Sequence, residues 1–270
     1  MINILKSGGL GNNLFQFAFG LAVSKKLKTS FVFNTESLDE YFELGNYNDF
    51  FLKRKRYLFY LFLLKFYKWK VIDLNLDTKP DEILNLVENN AVLYGYFQSS
   101  LFFAGYEDLV KQSFKIKNSH LEKYQSRFSH LYCREVVCVA IRRKDYLSWH
   151  IPEIDYNTPE LSLNYFKKTI DLIPDLKSKT LIVISDDIDR IKKELNFSNA
   201  VYIYEAIDAF ISLTLANYLI ISNSSFHWWG AWLNTKPGKI VYAPKYWLGH
   251  KVKKEYPKDI ISPNWIQVEV

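Results

Sequence analysis

Residues 2–13 read INILKSGGLGNN, and residues 218–226 read YLIISNSSF. In each stretch an apolar, strand-like run is followed by a turn of small residues and then by an apolar, helix-like segment. Such a turn presents backbone N–H groups at the positive end of a helix, which suits phosphate or another anion. Because an arginine pair, Arg142 and Arg143, lies between the two stretches, they predict a cleft that grips a phosphorylated ligand from both sides.

The second half of the chain alternates strand-like and helix-like segments. Strands are predicted over 136–141, 180–184, 201–204, 219–222 and 239–243, and helices over 161–173, 188–195, 206–216 and 226–233. This alternation is typical of a parallel sheet with right-handed crossovers. The first half opens in the same way, and the polar segment 118–134 is the best candidate for the join. We therefore predict an α/β protein with two Rossmann-like halves, 1–130 and 131–270, and a cleft between them.

Composition indicates a globular protein with a preference for anionic partners. Among 270 residues, 49% are hydrophobic and the formal net charge is +6. Cys133 and Cys138 lack metal-ligand spacing, so neither a zinc site nor a disulfide framework is expected and a cytoplasmic location is favoured. No apolar run approaches the ~20 residues that cross a bilayer. Residues 50–70 mix lysines, arginines and aromatics, which fits either a peripheral contact with an anionic membrane or a surface helix with inward-facing rings.

The glycine turn departs from a dinucleotide-binding fingerprint. The motif G-x-G-x-x-G would need a third glycine where Leu14 stands, and no acidic residue follows at the expected ~20-residue distance. A nicotinamide or flavin cofactor is therefore disfavoured. Gly11, Asn12 and Asn13 fit either an anion-binding turn or a plain structural turn.

The strongest anion-binding candidates are Arg142 and Arg143, at the end of the first strand of the second half. Ligands in open α/β sheets gather at the carboxyl ends of strands, and a guanidinium can hold phosphate oxygens in a bidentate fork. Asp145 could orient an arginine or act as a base, with His150 and Glu153 as further base candidates. The alternative is a solvated cluster of salt bridges.

Two further strand ends carry polar residues. Asp186 and Asp187 follow the next strand and fit either ligand contact or capping of the following helix. In the second opening stretch, Ser224 and Ser225 could donate to a pyrophosphate at the helix start, and His227 is either an added donor or a structural residue.

These strings together resemble glycosyltransferase family 11, the bacterial and animal α-1,2-fucosyltransferases. The similar segments are Gly8–Gln16, Gly95–Ser99, Ser185–Asp187 and Asn223–Asn234. The resemblance implies a GT-B architecture and inverting transfer of L-fucose from GDP-β-L-fucose, without a metal or other cofactor, to a galactose-containing glycan. Residues 1–130 would carry most acceptor contacts and 131–270 most donor contacts. A peripheral membrane contact by residues 50–70 would suit a lipid-linked acceptor.

The residues and the resemblance together predict roles for individual positions; the resemblance itself implies the donor-phosphate contact of Arg142 and the guanine or ribose contact of Asp208. The predicted catalytic residues are Arg142, Asp145 and His150. The predicted donor-binding residues are Gly11, Asn12, Asn13, Arg142, Arg143, Asp186, Asp187, Asp208, Asn223, Ser224, Ser225 and Phe226.

Three positions depart from the family pattern and leave other readings open. Ala140 stands where the family has a histidine, Lys144 where it has a glycine, and His227 where it has a serine. These changes put the donor in question, so a transferase for another nucleotide-linked deoxysugar is one alternative. A non-catalytic saccharide- or nucleotide-binding module is the other. No nucleic-acid signature is present, so a nucleic-acid partner is not expected.

Overall fold

A computed structural model describes residues 1–44, 70–73, 79–197 and 199–270 of the chain. Its contacts divide the chain into two compact units, Met1–Lys117 and Asn118–Val270. The predicted membrane contact of residues 50–70 falls almost wholly outside the described residues and stays a prediction.

The first unit contains a parallel sheet of four strands in the order β2-β1-β5-β4, and an antiparallel pair of β3 and β6. In chain order its elements are β1 (Ile2–Ile4), α1 (Leu10–Lys26), β2 (Phe31–Val32), α2 (Glu36–Asp39), β3 (Phe42–Glu43), β4 (Lys70–Asp73), α3 (Pro80–Leu86), β5 (Ala91–Tyr94), α4 (Glu107–Ser113) and β6 (Lys115–Ile116).

Helix α1 forms the core of the first unit. Every residue from Asn13 to Ser24 is buried, because apolar side chains occur around the whole circumference of the helix. A Cβ atom at Gly20 would lie 2.5 Å from the Phe31 ring and 2.8 Å from Cδ1 of Ile4. The missing side chain therefore lets α1 pack directly on β1 and β2.

The second unit is a doubly wound sheet of six parallel strands. In chain order its elements are α5 (Asn118–Phe128), β7 (Val136–Ile141), β8 (His150–Ile151), β9 (Tyr156–Asn157), α6 (Leu163–Ile170), β10 (Thr180–Ser185), α7 (Ile188–Leu195), β11 (Val201–Ile203), α8 (Ala206–Leu215), β12 (Tyr218–Ile221), α9 (Ser225–Leu233), β13 (Ile240–Pro244) and β14 (Ile266–Val268). The strand order is β11-β10-β7-β12-β13-β14, and β8 and β9 form a separate small hairpin.

The strand order of this sheet indicates at which edge a ligand would bind. Counted from β7 it corresponds to 3-2-1-4-5-6, the order of nucleotide-binding doubly wound sheets. The order reverses between β7 and β12, which are paired from Tyr218↔Val137 to Ile221↔Ala140. The crevice at such a reversal lies beyond the carboxyl ends of both strands, where Arg142 and Ser222–Ser225 follow in the chain.

The segment predicted as a polar join is instead a helix of the second unit. Within α5, Tyr124 is only 1% exposed and its hydroxyl lies 2.8 Å from Oγ of Ser212 on α8. These contacts attach Asn118–Phe128 to the second unit, so the units divide after Lys117, earlier than the boundary predicted at residue 130. Strand β14, at the edge of the sheet, was not predicted.

Candidate functional site

In the first unit, the turn after β1 is built against the loop after β5. Gly8 has φ +74°, and a Cβ atom there would lie 2.2 Å from Nδ2 of Asn12. Only glycine therefore fits this turn while Asn12 keeps its position. Asn12 accepts a 2.7 Å hydrogen bond from Nε2 of Gln98. Gly11 is buried in the first turn of α1.

Asn13 and Gln16 hold the same turn from the inside. Asn13 donates from Nδ2 to the carbonyl of Ser7 at 3.0 Å, and its Oδ1 accepts from Ser37 at 2.8 Å. Gln16 donates to the carbonyl of Gly95 at 2.9 Å. Both side chains are at most 1% exposed. Asn13 thus supports the turn from inside, and its contact with a donor stays a prediction.

In the second unit, Arg142 lies between two carboxylates at the end of β7. Its Nε donates to Oδ1 of Asp145 at 2.9 Å and lies 3.2 Å from Oδ2 of Asp186. Its guanidinium carbon is 5.7 Å from the centre of the Tyr146 ring. The side chain remains 34% exposed. The guanidinium is therefore fixed in orientation while part of it still faces solvent.

The charges around Arg142 keep it protonated. Burial alone would lower its pKa, but the hydrogen bond to Asp145 and the charges of Asp186 and Asp145 outweigh burial and raise the pKa above its ordinary value. Burial raises the pKa of Asp186, against the opposing effects of the Arg142 charge and of a hydrogen bond from the Arg143 backbone. A permanently charged guanidinium at a strand end suits phosphate.

Arg143 has a different environment. Its side chain is 1% exposed, forms an ion pair with Glu160 and donates to the carbonyl of Leu161 at 2.9 Å. A buried charge of this kind is stable only when it is paired. Arg143 therefore anchors the segment before α6, whereas Arg142 is partly exposed, and phosphate binding by the pair stays a prediction.

The start of α9 lies next to Arg142. The backbone N–H of Ser222 donates to the carbonyl of Ala140 at 3.0 Å, and the Tyr146 hydroxyl donates to the carbonyl of Asn223 at 2.8 Å. Ser224 occupies the N-cap position, and among the described residues its side chain has no capping partner. The first-turn N–H groups of α9 are thus left for water or a ligand.

The other predicted residues of this stretch differ in exposure. Asn223 is 1% exposed and donates from Nδ2 to the carbonyl of Pro159 at 2.7 Å, so its side chain is structural. Its Oδ1 has no hydrogen-bond partner among the described residues, and its contact with a donor stays a prediction. Ser225 and Phe226 are half-buried, and the Phe226 ring packs 5.2 Å from that of Phe210. Ser225 therefore remains the side chain best placed to reach a ligand.

His227 is neutral and held in place. It is 5% exposed, and its Nδ1 lies 2.8 Å from Oγ of Ser222. Burial, and secondarily the charge of Arg142, lower its pKa to about 3. His227 is therefore a polar, uncharged neighbour of Arg142 rather than a second cation.

The predicted acidic contacts Asp208 and Asp187 differ, because only the Asp208 carboxylate has a partner among the described residues, while that of Asp187 makes no capping bond. Asp208 is 2% exposed and accepts a 2.6 Å hydrogen bond from Nη1 of Arg127. The buried carboxylate thus neutralises an arginine, and its contact with guanine or ribose stays a prediction. Asp187 occupies the N-cap position of α7, and its N–H donates to Ser185 Oγ at 3.0 Å.

The candidate bases lie in the segment after Arg142. Asp145 is 57% exposed, and both of its contacts with Arg142 use Oδ1. His150 is exposed in the β8–β9 hairpin, where its Nδ1 lies 2.8 Å from Oδ1 of Asn157. Asp145 is therefore hydrogen-bonded to Arg142, whereas His150 contacts Asn157 within the hairpin.

The sequence alone did not indicate the roles of Tyr146 and Glu160 as partners of Asn223 and Arg143. Burial raises the pKa of the Tyr146 hydroxyl, which keeps it protonated as a donor to Asn223. A tyrosine next to a charged strand end is a weak signal of such a bond. Glu160 could have been suspected only as a partner for a buried arginine, and the sequence does not show which arginine is buried.

The described residues, 1–44, 70–73, 79–197 and 199–270, lack both a metal-binding cluster and a membrane-spanning helix. In that part of the chain, no group of three or more histidine, cysteine, aspartate or glutamate side chains could hold a metal ion. Its helices are all too short or too polar to cross a membrane.

Comparisons with known proteins agree on one family. The model of Glycosyl transferase family 11 matches residues 75–269. The O-antigen biosynthesis glycosyltransferase WbnK of Escherichia coli is 29% identical over 307 residues, covering 97% of this chain and 98% of that protein. An alpha-1,2-colitosyltransferase of Escherichia coli is 27% identical over 292 residues, covering 97% of each.

Solved structures resemble the fold. POFUT1 in complex with GDP-fucose matches with a TM-score of 0.54 and 12% identity, covering 90% of this chain and 96% of that one. Together with the two parallel sheets, this similarity confirms the predicted GT-B-like α/β class.

Proposed function

Because this chain belongs to glycosyltransferase family 11, as its motifs predict, we propose that it transfers L-fucose from GDP-β-L-fucose to O2 of a galactose residue in a glycan. The transfer inverts the configuration at the anomeric carbon. The E. coli relative WbnK is named for O-antigen biosynthesis, which supports a surface glycan as the acceptor.

The observation that carries this proposal is the position of Arg142 beside the start of α9, at the strand-order reversal of the second sheet. As the acceptor oxygen attacks the fucose anomeric carbon, the bond to GDP breaks and negative charge grows on the β-phosphate. Arg142, the first-turn N–H groups of α9 and the Ser225 hydroxyl are donors fixed at that edge. Fixed donors of this kind stabilise a developing charge without having to reorganise.

Asp145 is our proposed base. Since both contacts with Arg142 use Oδ1 and the side chain is 57% exposed, Oδ2 can accept the proton of the acceptor hydroxyl. His150 is the second candidate. Asp145→Asn should lower the transfer rate more than His150→Ala, and the opposite order would move the base to the hairpin.

A second candidate donor is another deoxysugar linked to a nucleotide. One relative is named an alpha-1,2-colitosyltransferase, and Ala140 and His227 change the surroundings of Arg142. A panel of GDP- and UDP-linked sugars, scored by nucleotide release with a galactoside acceptor, separates the candidates. Turnover of GDP-fucose supports the first, whereas GDP binding without turnover of any sugar would favour a binding module.

We also propose that transfer needs no metal, since Arg142 and the start of α9 can balance the diphosphate charge. Activity in excess chelator should equal that in buffer. Loss of activity that magnesium or manganese restores would overturn this part of the proposal.

NMR of the product should show an α-1,2 linkage to galactose.

A further inference from the structure

The segment after Arg142 exposes an aromatic ring that the proposed donor site does not use. Trp149 and Leu147 are each 37% exposed, although the interior of this unit buries most large apolar side chains. Exposed tryptophan close to a polar site is a common mark of ligand contact.

The Trp149 ring packs against one neighbouring ring, and the Trp149 backbone is bonded to the hairpin that follows. Its centre lies 5.4 Å from that of Tyr146, and its carbonyl accepts a 2.8 Å hydrogen bond from the N–H of Thr158. The hairpin of β8 and β9 begins at the next residue. Trp149 is therefore an ordered ring rather than the tip of a loose loop.

The same contacts connect Trp149 to the donor side. The Tyr146 ring lies under the guanidinium of Arg142, and its hydroxyl bonds to Asn223 before α9. Trp149 is thus one aromatic ring away from the guanidinium proposed to hold the departing phosphate. Asp145, the proposed base, lies on the same short segment.

The chemistry of this surface fits a sugar ring. Galactose carries a patch of C–H groups on one face, which packs on an aromatic ring while its hydroxyls point outward to polar groups. The neighbouring polar side chains include the exposed Asp145 and His150.

We propose that Trp149 forms a platform on which the apolar face of the acceptor galactose stacks, with the exposed Leu147 two residues earlier on the same segment. This inference rests on the proposed function and names the acceptor contact of the same site. It assigns an acceptor contact to the second unit, in addition to those predicted for residues 1–130.

The test compares Trp149→Ala and Trp149→Phe with Leu172→Ala, a control at an apolar side chain that is 53% exposed just after α6. The probes are lactose and N-acetyllactosamine at saturating GDP-fucose. We expect Trp149→Ala to raise the acceptor KM about tenfold, and Trp149→Phe to raise it less because a ring remains. Leu172→Ala should leave the KM unchanged. Thermal unfolding of each variant checks that the fold persists.

Two readouts separate this proposal from the proposed function. GDP affinity by calorimetry, and slow hydrolysis of GDP-fucose without acceptor, should not change in Trp149→Ala. In saturation-transfer NMR with GDP present, the C–H protons of galactose should receive the strongest signal, and Trp149→Ala should remove it. An unchanged acceptor KM and NMR signal in Trp149→Ala would overturn the platform while leaving fucose transfer intact. If no galactoside is turned over, the NMR signal still decides whether Trp149 binds the sugar.

Discussion

The turn before α1 and the turn before α9 share a sequence pattern but satisfy their polar groups in different ways. In the first unit, side-chain amides form hydrogen bonds with neighbouring loops, as in Asn12, Asn13 and Gln16. In the second unit, Ser224 makes no capping bond among the described residues, and Arg142 remains one-third exposed. Neither helix start has a side-chain cap among the described residues, so the two turns differ in their neighbouring side chains: hydrogen-bonded amides in the first unit and a partly exposed arginine in the second.

The largest expected effect is at Arg142. Arg142→Ala should lower kcat about 10²–10³-fold, because one fixed donor to the leaving phosphate is lost. Arg134→Ala, at an exposed arginine before β7, is the matched control. Steady-state kinetics and circular dichroism check both variants. Near-normal turnover in folded Arg142→Ala would remove the proposed phosphate contact and with it the contrast between the two turns.

A stability effect is expected at Asn13. Asn13→Ala should lower the free energy of unfolding by about 1–3 kcal/mol, since buried partners of its amide are left unpaired. Asn12→Ala should cost less, because Asn12 is partly exposed and its Oδ1 accepts one bond, from Gln98. Urea denaturation measures both. Loss of GDP affinity with unchanged stability in Asn13→Ala would instead place this turn in the donor site.

The neutral state of His227 predicts a pH dependence. Its pKa is about 3 in the folded protein and near 6.5 when exposed, so between these values the unfolded chain binds a proton that the folded one does not. This group therefore makes stability rise with pH through that window. His227→Gln should flatten the slope of unfolding free energy between pH 4 and 6.5, measured by urea denaturation. Parallel curves for the two proteins would contradict a buried neutral imidazole.

The smallest effect is expected at Ser224. An N-cap serine usually contributes about 1 kcal/mol through its side-chain bond, which is absent here among the described residues. Ser224→Ala should therefore change the unfolding free energy by less than about 0.5 kcal/mol. A loss as large as that of Asn13→Ala would show that the Ser224 side chain makes a stabilising bond after all.

The strand and helix alternation was readable from the sequence, because the β7 residues are uniformly apolar and small polar turns follow several strands. The carboxyl-edge positions of Arg142 and Asp186 followed from that alternation alone. The sequence could not show that Arg142 is partly exposed and Arg143 buried. The difference depends on Glu160, which lies before α6 and forms an ion pair with Arg143.

Long-range partners explain the other features that the sequence did not reveal. Segment 118–134 looked like a linker because it is polar, yet Tyr124 is buried through a contact with Ser212, 88 residues away. Asp208 looked available because its partner Arg127 lies in that same misread segment. Burial of a single side chain in a polar helix leaves little trace in local periodicity.

The bond from the Tyr146 hydroxyl to the Asn223 carbonyl has a consequence for the geometry of leaving-group binding. It fixes the spacing between the loop that carries Arg142 and the loop that begins α9. A phosphate held by both sides must therefore match a width that is set before it arrives. Removing that single oxygen, as in Tyr146→Phe, would let the two loops drift apart and weaken both sets of donors together, although neither set is altered.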